Sequence, residues 1–224
     1  MKNLRSLLVA FLVAFAVSAQ AQISDNLQHL VATNGSLSLG DKTFSNFSFS
    51  QMGLTNFDPA QVIASVSLLG DTYFLSVSGN ISFINGGAGP ANFLLDYIVT
   101  ASAGQIDMID QSFTGSAQPI GSGFLAIDET VRDSLANVVA NSHLQNDDIS
   151  DPAAEANDHL NLSPGQAQLE ITTGIGFGLV NGGIDTISQF RQSFHQVIPE
   201  GGTTALFVIG LGTVGLLLRK KARA

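Results

Sequence analysis

The 224-residue chain contains no cysteine and no tryptophan, and it has two tyrosines. The absence of cysteine excludes disulfides, zinc–thiolate sites, iron–sulfur clusters and cysteine nucleophiles. The fold must therefore be stabilised by its apolar core alone, and a domain of about 150 residues buries close to 70% of its unfolded surface. Few tyrosines and no tryptophan leave little of the amphipathic aromatic surface that sugar-stacking faces usually carry.

Basic residues are scarce between the two ends of the chain. Only Lys42, Arg132 and Arg191 lie there, whereas all 18 acidic residues fall between Asp25 and Glu200. Residues 22–200 therefore carry a formal charge of −15. Because no basic patch is present to displace counterions from phosphates, the composition excludes nucleic acid as a partner.

The N-terminus has the organisation of a signal peptide. Lys2 and Arg5 precede a 13-residue apolar run, Ser6–Ser18, and Ala19 and Ala21 then form a small–x–small site. That pattern is cleaved by signal peptidase, and the apolar run is short for a membrane span. We predict that residues 1–21 are a signal peptide and that the chain is exported.

A second apolar run lies close to the C-terminus. Residues 203–218 carry no charge over 16 residues, slightly fewer than the roughly 17–25 of a typical membrane span. Four basic residues follow, as expected on the cytoplasmic side: Arg219, Lys220, Lys221 and Arg223. We predict one transmembrane helix here, which holds the precursor transiently in the inner membrane.

The segment between the two ends has the pattern of a β protein. Apolar residues alternate with polar ones, which is typical of strands with one buried and one wet face. The alternating rows are Val62, Ala64, Val66 and Leu68; Tyr73, Leu75 and Val77; Ile81 and Phe83; Phe93, Leu95, Tyr97 and Val99; and Leu169, Ile171 and Thr173. Asn-Gly and Gly-Gly steps at residues 34–35, 85–87 and 181–183 predict turns. We predict an all-β domain over residues 22–196, an antiparallel sandwich of about eight to ten strands.

Three further expectations concern individual segments. On the strand around Phe93–Val99, the odd-numbered residues are expected to be buried, with Asn92, Leu94, Asp96 and Ile98 on the opposite face. The segment Asp128–Leu144 has apolar residues at helical spacing, so it is either a short helix or two strands that meet at a bend near Ser134. Residues 146–161 are rich in Asp, Asn and Ala, which predicts a long exposed loop.

The C-terminal segment resembles a known sorting signal. Pro199, Glu200, Gly201 and Gly202 stand before the apolar run and the basic end, and together these three parts resemble the PEP-CTERM signal in its VPDSG/VPEGG-like form. The resemblance implies that residues 197–224 are recognised by exosortase, a membrane transpeptidase. It also implies that the mature protein goes to the cell surface or exopolysaccharide matrix. Ile198 before the proline and Gly201 in place of a second proline depart from the commonest form.

The body of the chain is also similar to the β-sandwich ectodomains of this family. The similar segments are residues 35–50, 91–102 and 185–202. The resemblance brings no catalytic motif with it. It therefore implies a surface domain and leaves its ligand open.

Candidate metal-binding residues are few. His29, His143, His159 and His195 are widely spaced, without an H-E-x-x-H motif or a pair at i, i+4, which favours four surface histidines. Acidic residues cluster at Asp147, Asp148, Asp151, Glu155 and Asp158, with Glu170 further on. They form either a solvated acidic loop or a structural calcium site, since Ca²⁺ takes six to eight oxygen ligands; no other cofactor is indicated.

Catalytic motifs are also missing, and three classes of function remain. Asp107 with Asp110, or Asp128 with Glu129, are candidate carboxylate pairs of an exported glycosidase, which needs two carboxylates about 5–9 Å apart. A lectin-like or adhesive module is the second class. The sequence favours the third, a structural or interaction protein without catalysis. Its expected partners are signal peptidase and exosortase, and exopolysaccharide is a further candidate partner.

Overall fold

A computed structural model describes residues 21–55, 57–85, 90–119, 123–146, 157–179 and 183–197. The predicted signal peptide up to Gln20 and the sorting signal from Ile198 onward, with its apolar run and basic tail, lie outside these ranges. In the described ranges, no helix is both long and apolar enough to span a bilayer.

The described chain contains twelve strands and one short helix. They are β1 Gln22–Asn26, α1 Leu27–Thr33, β2 Leu37–Leu39, β3 Lys42–Met52, β4 Ile63–Leu69, β5 Thr72–Asn85, β6 Ala91–Ala101, β7 Gln105–Pro119, β8 Gly123–Asp133, β9 Val138–Asn146, β10 Asn157–Gln166, β11 Gln168–Leu179 and β12 Gly183–Val197. The all-β prediction is confirmed. The expected eight to ten strands were too few, because short edge strands such as β2 and polar strands such as β10 lack a clear alternating signal.

The strands form two six-stranded antiparallel sheets. Sheet A has the order β1-β4-β5-β12-β7-β10, and sheet B has the order β2-β3-β6-β11-β8-β9. The inner faces of the two sheets pack together around one core of buried aliphatic and aromatic side chains. The predicted sandwich is therefore confirmed.

Aromatic residues connect the two sheets through the core. The Phe44 ring of β3 lies 6.1 Å from the Tyr97 ring of β6 and 5.2 Å from the Phe194 ring of β12, measured between centroids. All three side chains are buried, and burying such a side chain contributes about 1.5–3 kcal/mol. As predicted, Phe93, Leu95, Tyr97 and Val99 face the core, whereas the alternate residues of β6 are exposed or half-buried.

The predicted turn at Asn34-Gly35 is instead the end of helix α1. Asn26 begins the helix, since its side-chain oxygen accepts a hydrogen bond from the backbone N–H of His29 at 2.8 Å. Asn34 ends it with a left-handed φ of 50°, a conformation that asparagine tolerates better than most residues. Leu27 and Leu30 lie on one face of the helix and are buried, so α1 covers part of the core.

The predictions for residues 128–144 and for residues 146–161 have different outcomes. Asp128–Leu144 belongs to strands β8 and β9, and the chain turns between Asp133 and Val138, so the strand alternative is confirmed. The predicted loop over residues 146–161 is wrong at its C-terminal end, because residues from Asn157 onward pair with β7 as strand β10. Polar alternation in β10 resembles loop composition, and only its pairing with β7 distinguishes the two.

Two hairpins of sheets B and A have the same two-residue turn. Gly40-Asp41 joins β2 to β3, and Gly70-Asp71 joins β4 to β5, with Leu39 paired to Lys42 and Leu69 to Thr72. The φ angles of the two glycines are +58° and +62°. A glycine with positive φ at the first loop position is typical of the type II′ turn, which matches the twist of antiparallel strands.

Candidate functional site

The outer face of sheet A brings together polar side chains from four neighbouring strands. Arg191 of β12 lies directly across from Ser76 of β5 and Ser112 of β7. These residues face outward because their neighbours on each strand, such as Leu75 and Gln192, face the core.

The adjacent row of the same face carries the charged groups. Ser193 of β12 lies across from Phe74 of β5 and Asp110 of β7, and Asp110 lies across from His159 of β10. The two rows border a hollow of about 340 Å³, which we call the sheet A hollow. Its lining consists of Phe74, Asp110, Gln111, Ser112, His159, Arg191 and Ser193.

Asp110 is the centre of the hydrogen-bond network in this hollow. Its Oδ1 lies 2.5 Å from His159 Nδ1, and its Oδ2 lies 2.7 Å from His195 Nε2. Ser193 Oγ donates to the same Oδ2 at 2.8 Å. The carboxylate is 25% exposed and His159 is 70% exposed, so the cluster is open to solvent on the His159 side.

The network shifts the protonation of its members. Burial alone would raise the pKa of Asp110, but hydrogen bonds from His159, Ser193 and His195 outweigh burial and hold the pKa below its ordinary value. The hydrogen bond to Asp110 and the negative charge of that carboxylate raise the pKa of His159. The cluster therefore keeps a carboxylate at neutral pH and gains positive charge in mild acid.

The cluster contains Ser, His and Asp, but its geometry is not that of a catalytic triad. In a triad the imidazole uses one nitrogen for the serine and the other for the carboxylate. Here Ser193 Oγ, at 3.1 Å, and Asp110 Oδ2 both approach Nε2 of His195. The Nδ1 atom of His195 instead faces Thr72 Oγ1 at 3.4 Å. The serine hydroxyl donates to the carboxylate directly, so the imidazole is not placed to activate it.

The arrangement is also not a formed metal site. The imidazoles of His159 and His195 approach different oxygens of the Asp110 carboxylate at hydrogen-bond distance. Each imidazole is therefore hydrogen-bonded to the carboxylate directly, without space for a metal ion between them. In the ranges the structure describes, no group of three or more His, Asp or Glu side chains has the geometry to hold a metal. Of the predicted acidic cluster, Asp158 and Glu170 lie in different sheets, and Asp147, Asp148, Asp151 and Glu155 fall outside the described residues.

Arg191 forms the other half of the hollow. Its guanidinium carbon lies 3.6 Å from the centroid of the Phe74 ring, the close stacking that arginine makes with aromatic faces. The Nε atom of Arg191 is buried and has no hydrogen-bond partner. The hollow therefore combines an aromatic ring, a guanidinium with unused donor capacity and a carboxylate.

A second, more apolar hollow lies at one end of the sandwich. It has a volume of about 280 Å³ and is lined by Asp41, Leu68, Gly70, Asp71, Tyr73, Ala103 and Gln196. Lys42 is fully buried beside it, bonds to Asp41 at 2.7 Å and to Gln196, and lies 4.7 Å from the Tyr73 ring centroid. Because Asp41, Gln196 and Tyr73 already contact the Lys42 ammonium group, these residues stabilise the hairpin ends.

Neither carboxylate pair considered from the sequence lines the sheet A hollow with both members. Asp128 is exposed on the outer face of sheet B and pairs with His143 at 2.6 Å, whereas Glu129 points into the core. Asp110 lines the hollow, whereas Asp107 lies at a register shift of β7, with a buried Oδ1 that has no partner. A glycosidase needs two carboxylates across one cleft, and Asp128 and Glu129 lie on opposite faces of their strand.

Glu129 instead belongs to a polar network inside the core. Gln192 donates through Nε2 to Glu129 Oε2 and, at 3.1 Å, to Thr173 Oγ1, and the Tyr97 hydroxyl donates to Gln192 Oε1 at 2.5 Å. The other oxygen of Glu129 has no partner. Burial raises the pKa of Glu129 to about 7.

The four histidines are surface residues, as expected, but the sequence did not predict their partners. His29 lies 2.5 Å from Asp25, and His143 lies 2.6 Å from Asp128. His159 and His195 share Asp110 although they lie on different strands. No sequence motif could have found this convergence, because it depends on the pairing of β7 with both β10 and β12.

Comparison with known proteins identifies no family. No family model matches the chain, and no curated protein matches it. Among solved structures, TmCBM61 in complex with β-1,4-galactotriose is 15% identical, with a TM-score of 0.34 over 66% of this chain and 87% of that one.

Two further solved structures show a similar degree of likeness. TmCBM27, a carbohydrate-binding module with mannan recognition, is 7% identical, with a TM-score of 0.33 over 79% of this chain and 99% of that one. The lectin-binding domain of Lectinolysin, complexed with Lewis b, is 10% identical, with a TM-score of 0.24 over 55% and 72% of the two chains. TM-scores of this size do not establish a shared ligand.

Proposed function

We propose that this protein is an exported, non-catalytic surface or matrix protein whose sandwich binds extracellular polysaccharide through the sheet A hollow. The observation that carries the proposal is the hollow itself, in which four adjacent strands present a carboxylate, an imidazole, a guanidinium, hydroxyls and an aromatic ring. A few convergent polar groups around a concave surface are typical of ligand sites. An open sheet face suits an extended polymer, which can run across the strands.

The chemistry of the hollow matches that of sugar rings. Sugar hydroxyls donate and accept hydrogen bonds, and bonds to charged groups contribute about 1.5–3 kcal/mol each. Asp110 is an acceptor and Arg191 is a donor. Phe74 is the aromatic ring that the structure places in the lining. Because one ring supplies limited affinity by stacking, the charged groups must supply the rest.

A binding role is favoured over hydrolysis by the number of carboxylates. Of the residues that the structure places in the lining, Asp110 carries the one carboxylate. Glycoside hydrolysis needs an acid and a second carboxylate that acts as a base or nucleophile. Asp110 is also held ionised by its three hydrogen-bond partners, so it is poorly suited to act as a general acid at neutral pH.

Blocking the hollow should abolish polysaccharide binding. Ser112→Trp places a large side chain in the hollow without changing a core position, and we expect affinity for the bound polysaccharide to fall at least tenfold. The measurement is affinity electrophoresis of the full-length protein, purified in mild detergent, against a panel of neutral and acidic polysaccharides. Ser50→Trp, on the exposed outer face of sheet B, is the matched control and should bind as wild type. If no polysaccharide retards the protein, or if both variants bind equally, the proposal is wrong.

The proposed location depends on the two ends of the chain. Signal peptidase would remove residues 1–21, residues 203–218 would hold the precursor in the membrane, and exosortase would act at the motif beginning with Pro199. Pro199 disfavours a helical conformation of the residue before it, and Gly201 and Gly202 disfavour helix after it. The motif is therefore expected to be extended and accessible to a membrane-embedded transpeptidase.

Changing the motif should separate export from processing. We expect Pro199→Ala combined with Glu200→Ala to leave export intact but to trap a full-length membrane species. Immunoblots of membrane and surface fractions measure the distribution, with Thr203→Ala and Thr204→Ala as the control pair beside the motif. Normal trimming of the Pro199→Ala, Glu200→Ala protein would mean that the tail is only an anchor.

A further inference from the structure

The three basic residues of the acidic body lie in different electrostatic environments. Lys42 forms an ion pair with Asp41. Arg132 lies directly across from Glu170 on β11 and donates to Thr172 Oγ1 at 3.3 Å. Arg191 has Ser76 and Ser112 as its cross-strand neighbours, and like Arg132 it forms no ion pair with any residue that the structure describes. An arginine with no carboxylate as a cross-strand neighbour is unexpected in a segment with a formal charge of −15.

The donor capacity of Arg191 points into the sheet A hollow. Phe74 occupies one face of its guanidinium, and its buried Nε has no acceptor. The nearest carboxylate of the hollow, Asp110, already uses both oxygens for His159, His195 and Ser193. The buried Nε is not accessible from outside the chain. An external acceptor would therefore bind the terminal nitrogens of this guanidinium, which lines the hollow and forms no ion pair with a described residue.

We propose that the ligand is an acidic polysaccharide built from uronic acids. The polymer runs across the sheet A hollow, and Arg191 binds its carboxylates. This inference rests on the proposed function and names its ligand class. A planar guanidinium matches a carboxylate with two parallel hydrogen bonds. Because the rest of the domain repels polyanions, attraction must come from the Arg191 guanidinium itself, and recognition is confined to one face of one sheet.

The His159 imidazole makes the binding depend on pH. The charged and titratable groups that line the hollow are Asp110 from β7, His159 from β10 and Arg191 from β12, whereas β5 contributes Phe74. The His195 ring of β12 contacts the Asp110 carboxylate from beside the hollow. With His159 neutral, the charges of Arg191 and Asp110 cancel. With His159 protonated, the lining has a net charge of about +1. Uronate carboxylates stay ionised above about pH 4, so affinity for them should rise as pH falls from 8 to 5.5, by roughly tenfold or about 1.4 kcal/mol.

The test uses one polymer in two forms. Full-length protein in mild detergent is titrated with polygalacturonate and with the same polymer after chemical reduction of its carboxyl groups. We expect binding of polygalacturonate to be at least tenfold tighter and to strengthen at pH 5.5. We also expect it to weaken between 50 and 500 mM salt, because the Debye length falls from about 14 Å to about 4 Å and the charges are screened. Sulfated galactan is a third probe and distinguishes a requirement for carboxylate from a requirement for any anion.

Variants of Arg191 and His159 separate the contributions. Arg191→Gln should remove the preference for the acidic form, Arg191→Lys should keep part of it because charge remains without the planar fork, and His159→Gln should flatten the pH dependence. Thermal unfolding of each variant checks that the fold is retained. Equal binding of the two polymer forms, blocked by Ser112→Trp, would overturn this inference and leave the proposed function standing. If the protein binds neither polymer form and no other polysaccharide, both this inference and the proposed function are wrong. Tighter binding of sulfated galactan would overturn the choice of carboxylate as the recognised group.

Discussion

The free energy of unfolding of the Gly40→Ala variant is expected to be about 3 kcal/mol lower than that of the wild type. A left-handed alanine costs roughly 1–2 kcal/mol, and overpacking adds about 1–3 kcal/mol. A Cβ atom at residue 40 would overlap the Tyr73 hydroxyl and would lie 3.2 Å from two ring carbons. Tyr73 is 8% exposed, so the ring cannot move away without disturbing the core. Urea unfolding followed by circular dichroism measures the difference.

The chain supplies its own control for this prediction. Gly70 occupies the same position of the same kind of turn with nearly the same φ, but a Cβ there has no atom within 4 Å. Gly70→Ala should therefore show only the backbone cost, about 1–2 kcal/mol. Adding Tyr73→Phe to Gly40→Ala should restore part of the loss, because it removes the overlapping hydroxyl. Equal losses for Gly40→Ala and Gly70→Ala would show that the contact with Tyr73 is unimportant.

Glu129 is expected to make the protein less stable as the pH rises from about 4.5 to 7. Burial raises the pKa of Glu129 from 4.5 to about 7 in the folded state. In that window the folded chain keeps a proton that the unfolded chain has lost, so unfolding becomes easier as the pH increases. Above pH 7 both states are ionised and the full penalty, roughly 3 kcal/mol, remains.

Glu129→Gln should remove this pH dependence and raise the stability at pH 8, because the amide has the same shape and no charge. Its oxygen still accepts from Gln192. Urea unfolding at pH 4.5, 6 and 8 measures the slope, and Glu170→Gln, on the outer face of sheet B, serves as the control. A wild-type slope in the Glu129→Gln protein would show that Glu129 does not carry the penalty.

The buried network of Glu129 and the sheet A hollow differ in how far they could be predicted from the sequence. Alternation on β6 predicted correctly that Phe93 and Tyr97 face the core, because a strand's side-chain period is a local property. The same rule on β8 would have placed Glu129 inward beside Ile127 and Val131, so its burial was present in the pattern. A pairing of Glu129 with Asp128 conflicts with this rule, because the strand period puts adjacent residues on opposite faces.

The sheet A hollow could not be assembled in this way. Asp110, His159 and Arg191 belong to strands from separate parts of the chain, and their approach depends on β12 pairing with β7 and β7 pairing with β10 in one register. A shift of one residue would turn each of these side chains into the core. The register is selected by the packing of both sheets at once, which no single segment encodes.

The β class of the body, its reliance on an apolar core and its excess of negative charge follow from the amino-acid sequence alone, because alternation and composition act locally or additively. The chain also carries the predicted export and sorting signals. Which polar residues become neighbours follows from strand pairing. Arg191 has no carboxylate as a cross-strand neighbour, Asp110 contacts two histidines, and Glu129 is buried between the sheets. These outcomes depend on strand order and register, and distant strands pair only where the two apolar faces close over a common core.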